Sequence, residues 1–158
     1  MDLETRNKLI TIVLGVVIIF LGYYLYRSLV DPYQEVLEQE RMTQRVQHRM
    51  GLVRDALIQH RNIQGEFPPT EGGLDSLITF LKTNDRMVER GPDLFEEMPP
   101  STYNPDSLRY SPRPPHNEFQ YALNDTIRPQ IYLLEDPDSD LKIGDLERTT
   151  LLNAPNWN

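Results

Sequence analysis

Residues 9–26 read LITIVLGVVIIFLGYYLY, eighteen residues without a charge, and this stretch decides the architecture of the chain. At roughly 1.5 Å per residue it forms a helix of about 27 Å, close to the ~30 Å of hydrocarbon in a bilayer, with its backbone groups paired internally. A tail with Arg6 and Lys8 precedes it, as in a secretory signal peptide. Signal cores, however, are about 7–15 residues long and end in small residues near a cleavage site. This run ends in Tyr23, Tyr24, Leu25, Tyr26 and Arg27, the pattern of an interfacial aromatic belt with a snorkelling cation. We therefore read residues 1–30 as a tail and a retained transmembrane anchor. Gly15 and Gly22 mark positions where a neighbouring membrane helix can approach closely. Cations flank the span on both sides, Arg6 and Lys8 before it and Arg27, Arg41, Arg45 and Arg49 after it, so positive charge leaves the orientation open.

The remaining residues are acidic. Residues 1–30 carry Arg6, Lys8 and Arg27 against Asp2 and Glu4, so residues 31–158 bear the whole formal charge of −8 and one negative charge more. Such a balance repels phosphate and argues against a nucleic-acid partner. The chain has no cysteine, which excludes disulfides, thiolate metal sites and cysteine nucleophiles. His48, His60 and His116 are scattered, and no catalytic or nucleotide-binding fingerprint is present, so neither an enzyme nor a small-molecule substrate is expected.

Residues 31–63 favour a long helix. Met42, Val46, Met50, Val53 and Leu57 are spaced by three or four and share one face, while Arg41, Arg45 and Arg49 form a second stripe read as solvated. Pro32 marks a joint between this helix and the membrane helix. Gly65, Pro68 and Pro69 end the helical pattern, and Leu74, Leu77, Ile78 and Leu81 start a second helix running to about Asn84. Seven prolines within residues 85–115 predict loop there, with room for a helical turn at 93–98 and a short strand at 108–111. Residues 118–123 and 130–135 read as a hairpin, because Phe119, Tyr121 and Leu123 alternate with smaller or polar residues. Residues 141–143 and 148–152 add a last strand or a packed tail. The fold class is α+β: a transmembrane helix continuing into a long helix (31–63) packed on a small antiparallel sheet within a globular part (64–158).

The run from Gly65 through Phe67, Pro68, Pro69, Thr70, Glu71, Gly73 and Leu74 to Leu77, preceded on the helix by Ala56, Leu57, His60 and Arg61, resembles the pseudopilins of bacterial type II secretion, most closely the major pseudopilin of this type IV pilin-like family. The resemblance implies a pilin-like fold, a single-pass protein of the bacterial inner membrane with a periplasmic soluble domain, and partners among the lipid bilayer and other pseudopilin-like or membrane subunits. It implies no cofactor other than calcium, held by a C-terminal acidic loop. Asp136, Asp138 and Asp140 occupy alternate positions there, and carboxylates suit a hard cation. The family's processing motif and its glutamate inside the apolar stretch have no counterpart in residues 1–26. A single-span accessory or scaffold subunit of another membrane complex is therefore a second expectation beside a subunit of a secretion or pilus-type assembly.

Overall fold

The computed structural model describes residues 3–157, apart from the side chains of residues 3, 31 and 32. Its elements are α1 (Leu3–Gln64), α2 (Gly73–Thr83), α3 (Asp85–Leu94), a 3-10 turn (Pro105–Arg109), β1 (Gln120–Asn124), β2 (Ile131–Glu135), β3 (Lys142–Gly144) and a second 3-10 turn (Thr149–Leu151). The chain is α+β, with one long helix whose N-terminal part is apolar and a three-stranded antiparallel sheet in the order β1-β2-β3. Two compact units divide between Arg41 and Met42. The joint expected at Pro32 falls on a residue outside the described side chains.

In the first unit the apolar side chains face outward: Ile19 is 74% exposed and Phe20 67%. The second unit has a core. Val46, Met50, Val53 and Leu57, the apolar stripe of α1, are fully buried, and Met42 at its start is half-buried. Leu74, Leu77, Ile78 and Leu81 of α2 join the same cluster, as do Tyr132 and Leu134 of β2 and Ile143 of β3. β2 is the central strand, so both of its edges are paired and it buries most deeply. Register sets Tyr121 opposite Leu134 and Leu134 opposite Ile143. Phe119 is buried, and Tyr121 and Leu123 pack half-buried on the core, as their alternation predicts.

The C-terminal tail runs beside β3. The Gly144 N–H donates to the Ala154 carbonyl (2.9 Å), and the Asn156 N–H to that of Lys142 (3.0 Å). Gly144 has a φ of 86°, and a Cβ there would stand 2.0 Å from the Tyr132 carbonyl oxygen, so only glycine fits this crossing.

Two segments differ from their sequence-based reading. Residues 85–94 form a helix rather than a loop, because the Asn84 side chain accepts the N–H groups of Arg86 (3.2 Å) and Met87 (3.4 Å) as an N-cap. Pro92 lies in the last turn of that helix, and burial of Met87 and Gly91 outweighs its missing donor. Residues 105–109 form a 3-10 turn capped by Asn104 where a strand at 108–111 was expected, and Tyr110 makes only an isolated bridge to Glu118. Residues 142–144 form the last strand and 148–152 belong to the packed tail, with a 3-10 turn at 149–151.

Candidate functional site

Three places gather the residues singled out by the sequence. The first is the apolar helix. An eighteen-residue window within it has a mean hydropathy of 2.4, and none of that window is buried against the protein. This helix is long and apolar enough to cross a membrane, and a helix is one of two structures that satisfy their backbone groups in lipid. Gly15 and Gly22 have no heavy atom within 4 Å of where a Cβ would stand, so their surfaces are open to a neighbouring helix.

The second is the turn after α1. Gly65 takes φ 91° and donates its N–H to the Arg61 carbonyl (2.8 Å), closing the helix with a left-handed cap. The chain then folds back: Phe67 is buried, meets Tyr132 edge-on at 5.0 Å between ring centroids, and lies beneath the Arg61 guanidinium at 5.2 Å. The Pro68 carbonyl accepts the Tyr121 hydroxyl (2.9 Å), and the Thr70 hydroxyl receives the Leu123 N–H (3.0 Å), which pins the loop to β1. Gly73 opens α2 directly under Tyr121, whose ring carbons would lie 2.8 Å from an added Cβ. Leu74 and Leu77 dock α2 in the core, whereas Glu71 is exposed. His60 donates from Nδ1 to the Glu66 carbonyl (2.9 Å) and packs on Phe80. Beside these residues lies an open cleft of about 580 Å³, lined also by Ser76, Thr79 and Thr83. The run from Gly65 to Leu77 is thus a structural joint between α1, α2 and β1.

The third is the β2–β3 turn. Asp136 is 2% exposed; its Oδ2 accepts the Ser139 hydroxyl, and its Oδ1 is buried with no hydrogen-bond partner among the described residues. Asp138 receives the Asn117 side-chain amide on both oxygens (2.9 and 3.1 Å). The Asp140 side chain is exposed, and its backbone carbonyl accepts the Asn156 amide (2.6 Å). Among the described residues, no group of three His, Cys, Asp or Glu side chains is placed to hold a metal ion.

The three histidines serve three separate loops: His48 donates to the Glu96 carbonyl, His60 to that of Glu66 and His116 to that of Ser111. Arg49 departs from the solvated stripe expected at 41, 45 and 49. It is buried and forms a paired ion contact with Glu97 while donating to the Tyr110 carbonyl (3.2 Å). Nothing in the local sequence signals this pair, since its members are separated by 48 positions. No protein-family model, curated protein or solved structure matches the chain.

Proposed function

We propose that this protein is a non-catalytic, membrane-anchored subunit of a secretion or pilus-type assembly, pseudopilin-like in fold, single-pass in the bacterial inner membrane with its soluble unit on the periplasmic side. The observation that carries this reading is the uncharged helix over residues 9–26, whose apolar side chains are exposed among the described residues. Support for the pilin-like part comes from the long helix ending at a Gly-Glu-Phe-Pro-Pro turn that ties α2 and the sheet to it. Its partners are the bilayer and neighbouring membrane subunits, met along the helix at Gly15 and Gly22.

The absence of a glutamate inside the apolar stretch favours a second reading, a fixed single-span accessory or scaffold subunit of another membrane complex. Fractionation with an alkaline carbonate wash tests the anchor: the full-length protein stays in the pellet, and release into the wash refutes both readings. Intact mass of the purified protein separates them. A start shortened to the edge of the apolar stretch supports the pilin-type route, and an intact Met1 supports the fixed anchor.

A further inference from the structure

The resemblance to the major pseudopilin implies a calcium ion at residues 136–140, and the side chains there do not fit one. Calcium takes 6–8 oxygens arranged around a common point. Here Asp138 is turned to Asn117, Asp136 has one oxygen on Ser139, the Asp140 carboxylate is exposed while its backbone carbonyl accepts the Asn156 amide, and among the described residues no three carboxylate or imidazole side chains converge on a common point. A cleft of about 430 Å³ beside the turn is lined by Asp136, Ser139, Asp140, Lys142 and Asn156.

We propose that the side-chain amides of Asn117 and Asn156 close the β2–β3 turn in place of a divalent cation, so that the soluble unit folds independently of calcium. Each amide joins segments distant in sequence. Asn117 meets Asp138 through its side chain, while its carbonyl accepts the Ser111 N–H (2.8 Å), linking the turn to the loop before β1. Asn156 donates to the Asp140 carbonyl, accepts the Lys142 N–H on Oδ1 (2.9 Å) and donates its own N–H to the Lys142 carbonyl, linking the turn to the C-terminal tail. A metal ion gathers chain segments through shared oxygens. Two amides accomplish the same gathering here through donors and acceptors of opposite sense, with no change in charge.

Trp157, the single tryptophan, packs partly buried on the core beside Asn156 and reports the state of the tail. The test is thermal unfolding of the full-length protein in detergent, followed by Trp157 fluorescence, in EDTA and in millimolar calcium. The wild-type midpoints are expected to coincide. N117A and N156A each lower the midpoint by roughly 3–6 °C, equally in both buffers. Adding D138A to N117A lowers it no further, because the two residues share one interaction. A calcium-induced rise of the wild-type midpoint overturns the proposal, as does wild-type melting of both asparagine variants or an additional fall in the N117A/D138A pair.

Discussion

Arg49 of α1 and Glu97 of the loop after α3 form a buried two-point ion pair, Nε to Oε1 at 2.9 Å and Nη2 to Oε2 at 3.2 Å. Their side chains are only 10% and 4% exposed. The pair fixes where the proline-rich segment crosses the helix, and the neighbouring bond from His48 to the Glu96 carbonyl holds the same crossing (2.7 Å). Guanidinium and carboxylate are matched in shape, so each satisfies the donors or acceptors the other buries.

Breaking one side of this pair leaves a charge without compensation. E97A is expected to lower unfolding free energy by about 3–5 kcal/mol, whereas the double change R49M/E97L recovers most of that loss. Urea titration of the protein in detergent measures both. Equal losses in the single and double variants would contradict the assignment.

Two glycines on different helices should respond in opposite directions. G73A drives a methyl group into the Tyr121 ring, which is held by its bond to Pro68, and is expected to cost about 1–3 kcal/mol. Gly51 lies within α1 with open space around its Cβ direction, so G51A is expected to add about 0.5–1 kcal/mol. The same denaturation series reads both shifts, and a gain at Gly73 would refute the close approach.

Burial raises the phenol pKa of Tyr121 and Tyr132 above 10.0, and their mutual proximity adds to the effect at Tyr121. A raised folded-state pKa contributes stability that is complete below the unfolded value and is lost as pH climbs above it. Stability should therefore hold up to about pH 10 and fall beyond it. Near-UV circular dichroism and tyrosinate absorbance, followed together in an alkaline titration, should show these two phenols ionising only as packing is lost. Y121F moves the fall to higher pH; ionisation of both phenols in a packed protein would remove the basis for this expectation.

Ile18 is at the middle of the apolar stretch and 61% exposed. I18R is expected to weaken insertion by about 2.5–3.5 kcal/mol on the translocon scale, moving a measurable share of the protein out of the carbonate-resistant pellet. A substitution of Glu71, exposed on the soluble unit, should leave that partition unchanged. Equal partitioning of I18R and wild type would argue against a lipid-facing role for the stretch.

Periodic segments were legible without coordinates. The stripe from Val46 to Leu57, the Gly65 stop, the α2 leucines and the pairing of β1 with β2 all follow from spacing and turn chemistry that act over a few residues. The α3 helix was hidden, because seven prolines nearby outvote one Asn84 cap and two buried positions. Arg49 was misplaced for a related reason: a four-residue recurrence of arginine looks like a solvated face until a partner far along the chain supplies a carboxylate.

Sequence alone determined that residues 9–26 are uncharged and long enough to span lipid, and that a helix with one apolar seam follows. Length and hydropathy are sums over neighbours, and no fold is needed to evaluate them. Only the tertiary structure decided that Glu97 neutralises Arg49, that Tyr121 lies over Gly73, and that Asn117 and Asn156 hold the carboxylate turn. Each of those contacts depends on where separate segments cross, and side-chain partners at such crossings are set by packing of the whole core rather than by any local pattern.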